Sequence, residues 1–244
     1  MIIINAGNII MNTYVYPCSN GYIMIDTGYE HSLKDVENKL NRNGIKLSEI
    51  KYVFLTHAHD DHAGFLNELL EKNANLKVIM SDKSMPTLKR GQNSFEGGCS
   101  TVLAWIFCKL MRLVGKAEHR FPVIEDKYDS RFIEITETNK EELEEILQGK
   151  ILFTPGHTAD SISLKVENAI FCGDAAMNGF PSMKRMTIWV ENTKQYEQSW
   201  ETLLTENAER LYPSHGRPFY KKDLQKYKNT IHKIKLRELK GEDI

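Results

Sequence analysis

The stretch Thr56-His57-Ala58-His59-Asp60-Asp61-His62-Ala63-Gly64 follows directly on the apolar run Tyr52-Val53-Phe54-Leu55. It sets three imidazoles and two carboxylates within six residues, and a solvated turn has no use for histidines so clustered. Imidazole nitrogen and carboxylate oxygen are the donors that borderline divalent ions such as zinc accept. Side chains at 57, 59, 61 and 62 cannot all converge on one tetrahedral ion, whereas two ions accommodate them. His57 and His59 then serve one ion, and Asp61 and His62 the other. The stretch reads as a metal site at the end of a strand.

Composition bounds what surrounds it. A chain of 244 residues with 41% hydrophobic side chains can bury the core that a layered α/β sandwich needs, and 27% charged residues is ordinary for a soluble protein. A net charge of -1 argues against nucleic-acid binding through a global basic field. Cys18, Cys99, Cys108 and Cys172 fall at irregular spacings with no C-x-x-C pair, so they read as reduced thiols of an intracellular protein. Met1-Ile2-Ile3-Ile4 lacks a basic flank and soon turns polar, which suits a strand and not a signal peptide. No run is long and apolar enough to span a bilayer, so the cytoplasm is expected and no membrane partner is.

Taken outward from the histidine-rich loop, the pattern alternates. Strand-like runs open the chain at 2–4, 13–17 and 22–26, with Asn20-Gly21 as a hairpin signal between the second and third. The third ends in Asp26-Thr27-Gly28. A helix is expected over about 31–42, where Leu33, Val36 and Leu40 share a face and Gly44 follows. Strand 51–55 delivers the loop, Phe65, Leu66, Leu69 and Leu70 keep helical spacing, and Leu76 to Met80 returns to strand. Strand, ligand loop, helix, strand is the order of an α/β fold.

Residues 82–128 interrupt that order and read as a helical insertion in a single domain spanning 1–244. Within it a helix is expected over about 100–115, with Val102, Ile106, Leu110 and Leu113 on the stripe that should face the core. Lys109, Arg112 and Lys116 form another stripe, and Trp105 projects to that charged side. The segment is either packing or a lid over the metal site, and Trp105 is then a substrate contact. Beyond it, three short apolar runs each end in a metal-competent residue beside a glycine: Gly156-His157, Gly173-Asp174 and His215-Gly216. Strand ends are where open α/β folds gather ligands.

His57-x-His59-x-Asp61-His62, His157 in Thr-Pro-Gly-His-Thr, Asp174 and His215 together resemble the ligand set of the metallo-β-lactamase superfamily. Asp26-Thr27-Gly28 resembles its early motif, and the matching motifs run from about residue 22 to 217. The resemblance implies an αβ/βα four-layer sandwich, two mixed β-sheets flanked by helices. It places His57, His59 and His157 on the first metal and Asp61, His62 and His215 on the second, with Asp174 bridging. Asp26 would orient ligands from behind through hydrogen bonds. Phe65, Asp160 and Ser214 stand where the family often has glycine. With Asp174 at the bridging position there is no thiolate ligand of the antibiotic-hydrolysing kind. His59 departs from the H-x-E-x-D pattern of the flavodiiron branch.

Two cations roughly 3.5 Å apart can hold a bridging water and bring its pKa toward neutrality. The expected activity is therefore hydrolysis by a metal-bridging hydroxide, with two divalent ions per chain, zinc first and iron or manganese as alternatives. Asp61 is the expected catalytic residue, orienting the hydroxide and passing a proton to the leaving group. An ester, lactone or thioester of a small-molecule substrate is favoured, with Lys184 and Arg185 as candidate anion contacts. A phosphodiesterase or nuclease, an iron-dependent oxidoreductase resembling a sulfur dioxygenase, and a metal-stabilised binding protein are the competing readings. The basic segment 221–228 keeps Leu224, Tyr227, Ile231 and Ile234 at helical spacing, so a solvated amphipathic helix is expected there and nucleic acid is not. Oligomeric state is left open, a dimer included.

Overall fold

The computed structural model describes residues 1–239, and residues 240–244 of the expected domain lie outside it. In chain order the first strands are Ile4–Asn5 (β1), Tyr14–Cys18 (β2), Gly21–Ile25 (β3), Ile50–Phe54 (β4), Lys77–Ser81 (β5), Gly98–Cys99 (β6) and Phe132–Ile135 (β7). Lys150–Phe153 (β8), Ile162–Val166 (β9), Ala169–Gly173 (β10), Trp189–Val190 (β11), Arg210–Pro213 (β12) and Phe219–Tyr220 (β13) follow. The helices are Leu33–Arg42 (α1), Asp60–Ala63 (α2), Leu66–Lys72 (α3) and Met85–Arg90 (α4), then Val102–Leu113 (α5), Lys140–Leu147 (α6), Thr193–Thr205 (α7) and Lys222–Tyr227 (α8).

Two compact units share these elements. The first comprises Met1–Asn93 and Arg120–Ile151, the second Ser94–His119 and Leu152–Ile244. The segment 82–128, expected as one insertion, is thus divided: its central part, with α5, belongs to the second unit, and its two ends belong to the first.

The first unit is built on a mixed sheet in the order β1-β2-β3-β4-β5-β7. The β1–β2–β3 edge is antiparallel and β3, β4, β5 and β7 run parallel. Cys18 pairs with Gly21, so the hairpin turn is Ser19-Asn20, one residue earlier than the Asn-Gly signal placed it. Alternation along the strands selects Val15, Met24, Val53, Val78 and Met80 for one face. That face packs against Leu33, Val36 and Leu40 of α1 and Leu66, Leu69 and Leu70 of α3. Each such side chain stabilises the fold by roughly 1.5–3 kcal/mol when fully buried. Ile23, Ile25, Phe54 and Ile79 on the other face are buried as well, which explains why these parallel strands read as continuous apolar runs. Behind α3, Arg131 donates to the carbonyls of Leu70 at 2.7 Å and Leu76 at 2.8 Å, and to that of Asn73. It satisfies helix-end acceptors and fixes the entry to β7.

The second unit holds a mixed sheet ordered β13-β12-β10-β9-β8 and a small antiparallel ladder of β6 with β11. Strands β10 and β12 are parallel, while β9–β10 and β12–β13 are antiparallel. Leu152, Ile170, Cys172 and Leu211 meet Tyr196, Trp200 and Leu203 of α7 and Leu224 of α8 in its core. The basic C-terminal segment is α8 followed by a 3₁₀ turn over Lys228–Lys233, with Leu224 and Ile231 buried, as an amphipathic face requires.

Helix α5 departs from expectation. Ala104 is its buried residue, and Phe107, Cys108 and Met111 on the same side are half-buried. Val102, Ile106, Leu110 and Leu113, expected to face the core, are exposed to between 45% and 82%. Periodicity located the stripe, but which stripe turns inward is decided by what lies beneath the helix. Thr101 caps it, its side chain accepting from Ala104 N at 3.1 Å. All four cysteines are free thiols. Among the described residues no helix is long and apolar enough to cross a membrane.

Candidate metal centre

In the first unit the backbone turns from strand to helix inside the histidine-rich loop. Extended chain leaves β4 through Leu55, and His59 is the N-cap of the short helix α2. His62 N and Ala63 N donate to the His59 carbonyl at 3.0 and 2.8 Å. Asp60 and Asp61 occupy the first turn, where the helix dipole favours negative charge. His57 and His59, His57 and His62, and Asp61 and His62 each bring a donor atom of one within 4.8 Å of a donor of the other. His57 Nε2 lies 3.2 Å from His59 Nδ1, and Asp61 Oδ1 lies 3.6 Å from His62 Nε2.

The motif Asp26-Thr27-Gly28 holds this loop from β3. Asp26 is fully buried and sits at φ 56°, a left-handed conformation uncommon for any residue but glycine. Its carboxylate accepts from Thr56 N at 2.7 Å, from Thr56 Oγ1 at 2.9 Å and from His62 Nδ1 at 2.8 Å. Thr27 grips the His62 carbonyl through both N and Oγ1, at 2.8 and 2.7 Å. With Nδ1–H of His62 committed to Asp26, its Nε2 is the nitrogen left to bind a metal, the arrangement that fixes tautomer and ring direction in metal-ligating histidines. Asp26→Asn keeps the shape but offers an N–H where His62 needs an acceptor. Chelator competition is expected to show metal affinity falling about 10–100-fold. Unchanged affinity would remove Asp26 from this role.

Asp60 is half-buried. Its Oδ1 accepts from Asn93 Nδ2 at 2.7 Å, and its N donates to Asn93 Oδ1 at 2.8 Å. That reciprocal pair turns it away from the ligand role, and nothing in the sequence marked Asn93, 33 residues distant, as its partner.

In the second unit three strand ends present His157, Asp174 and His215. Asp174 Oδ2 lies 3.8 Å from His157 Nε2 and 3.6 Å from His215 Nε2. His157 Nδ1–H donates to the Trp189 carbonyl at 2.7 Å, so here too Nε2 is the nitrogen left for a metal. Glycines flank the ligands for a steric reason at two positions. Gly156 has φ 129° and Gly216 φ 86°, and a Cβ at either would overlap backbone, of Tyr196 and of Asn178 respectively. Glu191 fastens the His157 loop, its N donating to Gly156 O at 2.8 Å and its carboxylate accepting from Ala159 N at 2.9 Å. Burial pushes the Glu191 carboxyl above its usual range. Sequence reading missed Glu191, Trp189 and Thr56; all three act at least partly through backbone atoms, Trp189 through its carbonyl alone, which side-chain identity cannot advertise.

The donor set, imidazole nitrogens with carboxylate oxygens, fits divalent metal. Three buried atoms, His59 Nε2, His62 Nε2 and Asp174 Oδ1, make no hydrogen bond among the described residues, although each residue holds contacts through its other atoms. Of the expected substrate contacts, Trp105 is half-buried on α5, with Lys109 Nζ 3.8 Å above its ring and its indole N–H donating to Glu238 O at 3.3 Å. Arg185 has another task. It donates to Asp223 Oδ2 at 2.6 Å and to Asn178, and it stacks on Phe219, so a carboxylate of this chain already holds it. Lys184 is exposed.

Residues 10–215 match the family model described as the metallo-beta-lactamase superfamily. The chain is 29% identical over 218 residues to a "Probable metallo-hydrolase" of Methanocaldococcus jannaschii, covering 84% of this chain and 91% of that protein. It is 27% identical over 233 residues to a beta-lactamase-like protein 2 homolog of Caenorhabditis elegans, covering 92% of this chain but 62% of the relative, less than two thirds of its length. An archaeal metallo-beta-lactamase superfamily protein from Sulfolobus tokodaii superposes with a TM-score of 0.61 at 21% identity, over 99% of this chain and 90% of that one. A variant metallo-beta-lactamase from Cronobacter sakazakii gives 0.65 at 18% identity, over 95% and 91%. At these identities the likeness to solved structures concerns the fold, two mixed sheets with helices.

Proposed function

Because the chain belongs to the metallo-beta-lactamase superfamily, we propose that it is a dinuclear metal-dependent hydrolase acting on an ester, lactone or thioester. One observation carries the reading. His62 and His157 each give Nδ1–H to a fixed oxygen, of Asp26 and of the Trp189 carbonyl, which reserves Nε2 for a Lewis acid. The hydrolase name of the Methanocaldococcus jannaschii relative supports the reaction class.

His57, His59 and His157 would hold one divalent cation and Asp61, His62 and His215 the other, with Asp174 shared. Zinc suits these donors, and iron or manganese are the alternatives. When bound, such a pair supplies Lewis acidity and a water whose pKa approaches neutrality. Asp61 would orient such a water and pass a proton to the leaving group, while Asp26 and the Trp189 carbonyl keep the imidazoles from turning. Elemental analysis after purification in metal-supplemented buffer is expected to give two ions per chain. A screen across esters, lactones, thioesters and phosphodiesters is expected to show turnover among the first three. One ion or none, or cleavage of phosphodiesters alone, overturns the reading. Two irons with turnover only of a thiol would assign it to oxidation.

Substrate preference is placed on α5. Its base is tied to the His157 loop inside the second unit, since β6 pairs with β11 and β11 carries the Trp189 carbonyl that holds His157. Trp105 contacts the apolar tail of a small-molecule substrate. Trp105→Ala should raise KM for long-chain acyl esters on the order of tenfold. Metal content and KM for short esters should hardly change. Equal losses on both chain lengths with a lower melting temperature would make Trp105 a packing residue.

A further inference from the structure

The stripe that α5 leaves uncovered is continuous with a second apolar feature of the same unit. Val102 is 51% exposed, Leu110 52%, Leu113 82% and Val114 62%. Phe180, 76% exposed, and Met183, 45% exposed, lie in the loop after Asp174. Phe107, half-buried on α5 one turn before Leu110, meets the Phe180 ring edge-on at 5.9 Å between centroids, which brings the exposed loop against the helix beside its exposed stripe. Contiguous apolar exposure of this kind marks a docking surface.

Charge selects the occupant. No acidic residue occurs between Glu96 and Glu118, nor between Asp174 and Glu191, although acidic and basic residues nearly balance over the chain. Those two segments contribute Lys109, Arg112, Lys116 and Lys184. An apolar helix face on a helix whose own charges, Lys109 and Arg112, are both cations, with Trp105 beside it and the Glu238 backbone against that ring, has the composition of a helix lying in the plane of an anionic interface. A second copy of the chain fits poorly, because a two-fold contact of this face with itself would bring two cationic stripes into one interface. Spanning is ruled out by length: the 12 residues of α5 rise about 18 Å against a hydrocarbon thickness of about 30 Å.

We propose that α5 and the Phe180–Met183 loop form a peripheral docking face for anionic lipid membranes, the leucines and Phe180 entering the interface and the lysines meeting headgroup phosphates. The expectation of no membrane partner rested on the absence of a spanning segment, which a peripheral face does not need. The inference involves no proposed metal ligand, and vesicle binding is read without turnover, so its failure is distinguishable from failure of the hydrolase reading.

The test is co-sedimentation of the full chain with vesicles of phosphatidylcholine alone and of phosphatidylcholine mixed with phosphatidylglycerol. Binding is expected to the mixed vesicles, weakening with salt. Leu110→Glu/Leu113→Glu, at exposed positions that leave folding intact, should reduce partitioning about a hundredfold. Lys109→Ala/Lys116→Ala should reduce it by roughly fivefold per charge. Melting temperature and metal content serve as controls of fold. No binding to the anionic vesicles, or binding unchanged in both double variants, overturns the proposal. So does a wild-type dimer in sedimentation velocity that Leu110→Glu/Leu113→Glu converts to monomer, which would give the face to a second copy.

Discussion

Asp174→Ala should emerge from purification depleted of metal and with turnover lowered by about a thousandfold or more. Asp174 stands within 4 Å of two histidine nitrogens, 3.8 Å from His157 Nε2 and 3.6 Å from His215 Nε2. As the shared ligand it would answer for both ions, and Lewis-acid stabilisation is worth several kcal/mol. Each 1.36 kcal/mol is tenfold in rate, which yields the figure. Asp60→Ala provides the contrast. It breaks the reciprocal pair with Asn93 and should soften the first turn of α2, yet it removes no donor that faces the histidines. Full metal content with a modest fall in stability is expected, about 1–3 kcal/mol for the polar partners left unmade. If Asp60→Ala lost metal while Asp174→Ala kept both ions, the reading of the loop would be wrong.

How the sequence disclosed this much follows from where the information sits. The strands next to ligands were legible because each is a short apolar run that stops at a ligand loop, with a glycine beside the ligand after β10 and β12: β4, β10 and β12 all begin and end within a residue or two of where the runs did. The role of Asp26 was legible through its motif, and its three accepted hydrogen bonds show why an aspartate is needed at that left-handed position. Less was legible where backbone does the work. Trp189 serves through its carbonyl, and Gly156 matters because α7 begins against it. Strand β7 and helix α6 gave weak signals, the first only four residues long with Ile135 alone fully buried and the second dense in glutamate with Leu143 and Leu147 buried. On α5 the pattern was read in the wrong sense, because an apolar stripe announces a contact without saying whether that contact is internal.

Two structural themes meet in this account. Each unit carries its own share of the donors and its own means of aiming them, a carboxylate in the first and a carbonyl in the second. Because Asp174 would be shared between the two ions, the effects of Asp26→Asn and of a change beneath the His157 loop should couple and not simply add in free energy.

Trp200→Ala should be the most destabilising single change in the second unit. Trp200 is 1% exposed at the centre of α7, its ring 6.1 Å from that of Tyr196. Its indole N–H donates to the Ala175 carbonyl at 2.8 Å, directly after Asp174. Truncation empties a cavity the neighbours cannot fill, a loss of roughly 3–5 kcal/mol. For a chain of this size that lowers the melting temperature by about 10 °C or more. Trp200→Phe keeps most of the volume and removes only the N–H, so about 1–3 kcal/mol should be lost. Because the same indole steadies the backbone beside Asp174, the two variants should also differ in what added zinc does. Ligand binding raises apparent stability in proportion to the affinity of the folded state. Zinc should therefore restore less melting temperature to Trp200→Ala than to wild type, with Trp200→Phe between them. Equal zinc-induced shifts in all three proteins would confine Trp200 to packing and leave the Asp174 loop to hold its own geometry.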